Sequence, residues 1–305
     1  MLIDAHSHWL PEEIITNAHF YHKGWGDVES HLKMMDEAGI DRAVLSYPTS
    51  DAHLKLKGLA EVARIFNDNV GRIIKRYPDR FIGAAILPVG CKEDMLSEVK
   101  RATEELGFKA ISLATSYNGA YLDDEQFLCI YKLAQEKGIP VFVHSQIVKP
   151  IGSERVEDPL LTPVVEYVFD TTICIGKLLM AGILRDYKVK FIFAYFGGVI
   201  PFLAGRFDAT YQMLRSINFV KDLKGAPTDF LKNIYVDTSG DTTRANFESA
   251  LALFGANRIL WGSDYPAKKD FALSIQAINS LDIPKEDKQR ILGGNLEEVF
   301  RGVSV

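Results

Sequence analysis

Three histidines and one aspartate stand where a divalent ion could be held. His6 and His8 sit two residues apart at the end of the run Leu2-Ile3-Asp4-Ala5, and on a β-strand that spacing turns both imidazoles to one face. A His-x-His pair by itself is more often just two polar residues at a strand end. Here His144 closes a second apolar run, Val141-Phe142-Val143, and Asp264 follows a third, Ile259-Leu260-Trp261. Four such residues at the C-terminal ends of strands are expected to face one mouth. Three imidazoles and a carboxylate suit Zn²⁺ or another borderline divalent ion, with a coordination position left for water.

The elements that would position these residues recur along the whole chain. Eight short β-rich runs begin near residues 3, 43, 82, 109, 140, 190, 234 and 258. Most are apolar throughout instead of alternating, as parallel strands covered on both faces are. Between them lie stretches with apolar residues at three- and four-residue steps, such as 31–38, 59–77, 94–106, 125–137 and 246–254. Gly39, Gly107, Gly138 and Gly255 sit just past four of these, where helices stop. Strand–helix alternation eight times over is the arithmetic of an α/β fold of the (β/α)₈ TIM-barrel type. An open doubly wound sheet is disfavoured because no glycine-rich phosphate loop follows the first strand. No linker or low-complexity run interrupts the series, so residues 1–305 are expected to form a single domain. Two mouth extensions are foreseen, 9–27 and 145–158. A long apolar helix over 159–187 and a closing helix over 284–301 complete the reading.

Composition narrows the partners. The 305 residues carry 35 Lys+Arg against 40 Asp+Glu, a net charge of −5. With no basic block, nucleic acid and anionic membranes are poor partners. Apolar residues make up 47% and charged residues 25%, which excludes disorder, collagen and coiled coil. The most apolar stretch, 160–180, is interrupted by Pro163, Glu166, Asp170 and Lys177 and falls short of a membrane span. Cys91, Cys129 and Cys174 are odd in number and scattered, which reads as reduced thiols in a cytoplasmic protein.

On the segments IDAHSHWLPEE, VFVHS, FAYFGGVIPFLAGRF, ILWGSDYP and ILGGNLEEVF, the chain resembles the metal-dependent amidohydrolase superfamily. The branch it is most similar to contains aminocarboxymuconate-semialdehyde decarboxylase and the γ-resorcylate decarboxylases; Asp170-Thr171-Thr172 and the GGVIPF run point to that branch. The resemblance implies His6, His8, His144 and Asp264 as metal ligands, with Asp264 also carrying a proton. It implies one ion, zinc expected and manganese the alternative, because no lysine ends the fourth strand to bridge a second. It further implies that Arg206, which in such families often comes from a neighbouring subunit, reaches the substrate carboxylate. Where the family has a histidine after the sixth strand, this chain has Tyr195. An ordinary phenol titrates near pH 10, too high for a base at neutral pH, yet it can donate a hydrogen bond to a substrate oxygen.

The implied activity is non-oxidative decarboxylation of a small carboxylated molecule. The alternatives are hydrolysis of an ester, lactone or amide, and a non-catalytic metal- or ligand-binding barrel in which Tyr195 marks lost function. Trp9 is a candidate substrate contact, and Trp25, Tyr117 and Tyr121 fall on mouth loops. Lys149, Arg155, Lys268 and Lys269 on those loops favour an anionic substrate. Asp237, ending the seventh strand, is read as a partner to a ligand or a turn former. Solvated or capping roles are expected for His19, His22, His31 and His53. The apolar faces of the 159–187 helix predict a homodimer or higher homo-oligomer.

Overall fold

The structure, a computed structural model, describes residues 1–18, 21–48, 56–147, 149–151 and 158–303. Eight parallel strands appear where the apolar runs place them: β1 (Ile3–His8), β2 (Arg42–Ser46), β3 (Phe81–Ala85), β4 (Ala110–Ala114), β5 (Val141–His144), β6 (Phe191–Phe193), β7 (Tyr235–Asp237) and β8 (Ile259–Leu260). They pair in sequence order. The ring closes between β8 and β1 through Ala5 N–H to the Trp261 carbonyl (2.8 Å) and His8 N–H to the Tyr265 carbonyl (2.7 Å). A helix follows each strand: α1 (Val28–Ala38), α2 (Leu59–Arg76), α3 (Lys92–Glu104), α4 (Leu128–Lys137), α5 (Tyr167–Met180), α6 (Ile200–Ser216), α7 (Arg244–Phe254) and α8 (Phe271–Asn279). This is the expected (β/α)₈ barrel. Gly39 and Gly138 end α1 and α4 in the left-handed region, at φ of 69° each, a conformation that costs a residue with a Cβ more than glycine.

Strand alternation divides the core into two layers. Ala5, Val44, Ile82, Phe142, Ile192, Tyr235 and Leu260 fill the barrel, with Leu296 and Val299 beneath them. The alternate residues, among them Val141, Val143, Phe191, Phe193, Ile259 and Trp261, pack outward on the helices. Each fully buried Leu, Ile, Val or Phe contributes on the order of 1.5–3 kcal/mol. One step further along each strand, the same inward face carries His144 above Phe142 and Asp237 above Tyr235.

β1 needs an additional device. Ile3 and Ala5 face the barrel interior, and so do His6 and His8, which strict alternation forbids. The β1–β2 register shifts between Asp4 and Ser7, and this bulge re-aims the end of the strand. The side chain of Asp4 secures it, accepting from His6 N–H (3.0 Å) and from Ser263 N–H (2.9 Å) and its hydroxyl (2.5 Å). Removal from water raises this carboxyl to about 6 against those hydrogen bonds.

Two expected helices are not continuous. The 159–187 segment is a π-helical turn at Thr162–Glu166, then α5, then a short helix at Ile183–Asp186 beyond Gly182 at φ 79°. Pro163 cannot donate to an i−4 carbonyl, which favours the widened turn, and left-handed Gly182 ends the second piece. The closing segment splits likewise into Lys285–Gln289, a π-turn at Arg290–Gly294, and Asn295–Phe300. Gly293 there passes so close to the Met1 carbonyl that a Cβ would stand 2.4 Å from its oxygen.

Candidate metal centre

The four residues singled out from the sequence meet at the mouth. His6, His8, His144 and Asp264 offer ligand atoms all within 4.8 Å of one another. The three imidazoles form a near-equilateral triangle, with ring centroids 4.8, 5.2 and 5.2 Å apart. All three are buried, and only the Asp264 side chain keeps some exposure, 13%. Asp264 stands past the end of β8 at φ 64°, its N–H bonded to the His6 carbonyl at 2.8 Å. That left-handed backbone lets a residue beyond the strand turn back over the ring.

Each histidine has one nitrogen engaged and one directed inward. Nδ1 of His6 lies 2.8 Å from Asp237 Oδ2, Nδ1 of His8 3.1 Å from the Ser46 carbonyl, and Nδ1 of His144 2.8 Å from the Ser145 carbonyl. These acceptors assign the proton to Nδ1 in all three rings and leave three Nε2 lone pairs converging. His6 and His8 Nε2 are 3.1 Å apart, and Asp264 Oδ1 is 3.7 and 3.5 Å from them. Ligands held about 2.1 Å from an ion are about 3.0 Å apart at right angles and about 3.4 Å apart at tetrahedral angles. The donor set and the spacing of His6, His8 and Asp264 fit a single divalent cation, around which the widest pair, at up to 4.8 Å, would draw in.

The electrostatics agree. Burial acts to lower the His6 pKa, but the Asp237 carboxylate against Nδ1, helped by Asp264 and Asp4, outweighs it and brings the group up to about 9. His144 falls to about 3 through burial and then the fields of His8 and His6; His8 falls for the same leading reason. Asp264 resists the upward push of burial because His8 and His6 hold it below the ordinary carboxylate range. With no cation the site keeps a proton on His6 near neutrality, so uptake of a metal must expel it. Asp237 is the orienting residue, and Ser239 in turn fixes its other oxygen, by N–H at 3.0 Å and hydroxyl at 2.5 Å.

Tyr195 begins a run of four residues with positive φ: 57°, 55°, 74° and 68° for Tyr195, Phe196, Gly197 and Gly198. The two non-glycine residues there each cost roughly 1–3 kcal/mol. Phe196 is held by the core, in edge contact with Phe247 at 5.1 Å. The consequence is that the Tyr195 ring enters the mouth, its hydroxyl 3.4 Å from His144 Nε2. The ring lies on Gly240, where a Cβ would come 2.7 Å from its Cδ1. Burial, and then the charge of Asp264, push the phenol well above its ordinary value. It is a neutral donor. On its far flank a cleft of about 480 Å³ opens between Pro163, Val164, Phe202, Ser239 and Asn246.

The remaining candidates separate. Trp25 stacks on His8 at 5.9 Å, and Trp9, half-buried, leaves Nε1 without a partner among the described residues. Tyr117 accepts from Ala114 N–H, and Tyr121 donates to Asp170 (2.7 Å), so both serve the scaffold. Asp170 also binds the Thr115 hydroxyl and Ile151 N–H, tying α5 to the loops after β4 and β5. Arg206 is exposed on α6, lining a surface groove with Met180, Phe207 and Tyr211; within one chain it is not brought to the quartet. Lys268 is tied to the Gly240 carbonyl, and Lys149 and Lys269 are exposed. His22 caps the turn at Lys23–Gly26 as expected. His31 does not cap: it is buried against Tyr265 at 4.2 Å, and burial pushes it down to about 3. Its place on the inner face of α1, three residues after Val28, signals this. His19, His53 and Arg155 lie outside the described residues.

The fold and this constellation define a metal-binding barrel of the amidohydrolase kind. The chain belongs to the amidohydrolase family, whose sequence profile matches residues 3–302. It is 26% identical over 280 residues to the 2-amino-3-carboxymuconate-6-semialdehyde decarboxylase of Dictyostelium discoideum, covering 89% of this chain and 76% of that one. To the gamma-resorcylate decarboxylase of Polaromonas sp. it is 25% identical, covering 98% of both. Among solved structures, a dihydroxybenzoic acid decarboxylase from Polaromonas sp., holding manganese and 2-nitroresorcinol, superposes with a TM-score of 0.85 at 22% identity, covering 100% of this chain and 98% of that one.

Proposed function

We propose that this chain is a metal-dependent carboxy-lyase that removes CO₂ from a small carboxylated, unsaturated or aromatic substrate. The observation that carries the reading is the convergence of three Nε2 atoms with Asp264 beneath a neutral phenol. The names of the relatives support the same chemistry. His6, His8, His144 and Asp264 would hold the ion, which when bound supplies Lewis acidity toward the substrate's oxygens. Asp264, held ionised, takes a proton from solvent and delivers it to the carbon that bears the carboxylate. The bond to the carboxyl carbon then breaks, CO₂ leaves, and the ring or chain carbon keeps the new C–H bond. Tyr195 donates to a substrate oxygen and stays protonated throughout. Tyr195, as a neutral phenol, cannot itself take a proton from water, so a hydrolase built on this site would rely on Asp264 as its base.

Three imidazole nitrogens suit zinc; the manganese in the Polaromonas structure makes manganese its competitor. Trp9 and Trp25 would wall a flat substrate. Among the described residues no helix is long and apolar enough to cross a membrane, and three free cysteines are consistent with a reducing cytoplasm.

A homodimer fits the surface. Leu160, Phe202, Ile217 and Phe219 are 67%, 84%, 66% and 75% exposed, an apolar display that soluble monomers rarely sustain, and Arg206 stands on the same helix as Phe202. Light scattering at micromolar concentration should give about twice 34.1 kDa; a monomeric mass would remove any cross-subunit role for Arg206.

The activity test is incubation of metal-loaded protein with carboxylated phenols in D₂O. The account expects CO₂ release and one deuterium at the vacated carbon. Ester or lactone hydrolysis without CO₂ release would contradict it.

A further inference from the structure

Among the described residues three buried polar atoms beside the mouth have no partner: Trp9 Nε1, Ser145 Oγ and the hydroxyl of Tyr21. Tyr21 lies in the β1–α1 connection and is 9% exposed. Its ring packs on Trp25 at 4.6 Å, and Trp25 stacks on His8 at 5.9 Å with the planes 22° apart. Two aromatic rings thus lead from a candidate metal ligand to this hydroxyl. Burial pushes the phenol well above its ordinary value, and Tyr47, Tyr167 and Tyr195 act on it in the same direction. It is a neutral O–H within electrostatic reach of Tyr47 after β2, Tyr167 at the start of α5 and Tyr195 after β6. A hydroxyl taken from water without an acceptor is destabilising, and such groups in native structures call for an explanation. A bound ligand that brings the missing acceptor is one, and the position beside the mouth favours it.

We propose that Tyr21 is a specificity-determining residue, its hydroxyl donating to an oxygen of the substrate other than the carboxylate held at the metal centre. The site would then select carboxylates that bear a further hydroxyl or carbonyl group. This rests on the carboxylated-substrate reading above and adds the second oxygen to it. Trp25, between Tyr21 and His8, sets the spacing, so the second oxygen must lie across the substrate from its metal-facing end.

The test compares 2-hydroxybenzoate with 2,4- and 2,6-dihydroxybenzoate by calorimetry on metal-loaded wild type and Tyr21→Phe. In the wild type at least one dihydroxy probe should bind about tenfold more tightly, the worth of one buried hydrogen bond. Tyr21→Phe should erase that advantage, leave affinity for 2-hydroxybenzoate unchanged, and leave the Tm of the unliganded protein equal or higher. An advantage that survives the substitution overturns the inference. So does a fall in Tm with parallel loss of all three affinities, which would assign the hydroxyl to the fold, or equal binding of all three probes by the wild type. Binding of none of them by the wild type would instead overturn the substrate class, and this inference with it.

Discussion

Asp264→Asn is expected to lower kcat by roughly 10²–10⁴-fold, the range for loss of a positioned proton carrier. The amide keeps the shape and one oxygen of the carboxylate, so the His8 and His6 contacts at 3.5 and 3.7 Å can persist in altered form. Metal content should therefore fall far less than turnover. Asparagine also tolerates positive φ better than most residues, so the 64° backbone at this position is not an added cost. Steady-state kinetics beside metal analysis of the same preparation separates the two effects. A variant that keeps wild-type kcat would remove Asp264 from the chemistry, whatever it does for the ion.

Tyr195 carries the second large effect. Tyr195→Phe should slow turnover roughly 10²–10³-fold, as loss of one transition-state donor does. The fold and metal content should survive, because the ring still rests on Gly240. Tyr195→His puts a group that titrates near neutral pH next to His144. Hydrolysis of ester or lactone probes should be preserved or rise in that variant. Equal decarboxylation by wild type and Tyr195→Phe would deny the phenol any part in the reaction, and a protein inactive in both forms would match a non-catalytic barrel.

How far the sequence speaks depends on the kind of signal. The barrel could be read because eight parallel strands must be apolar on both faces, and the runs around Val141 or Phe191 allow little else. His6, His8 and His144 could be read because period-two alternation and strand ends are local properties. The β1 bulge could not: Ala5 and His6 face inward together only because Asp4 reaches Ser263, a contact spanning 259 positions. Asp237 was a strand-end acid of open meaning until its carboxylate stood 2.8 Å from His6 Nδ1. The break in the 159–187 segment was signalled by Pro163 and Gly182, but uniform apolarity hid it. Tyr21 lies within the foreseen 9–27 extension, yet which hydroxyl there lacks a partner is a property of packing alone. Arg206 stands exposed on an outer helix, away from the quartet within its own chain.

The central claim is that His6, His8, His144 and Asp264 hold one divalent ion. Elemental analysis of protein purified without chelator tests it most directly, with wild type and His144→Ala run in parallel. The account predicts close to one equivalent of zinc or manganese per chain in the wild type and a marked loss in the variant. An unchanged metal content in His144→Ala would contradict it.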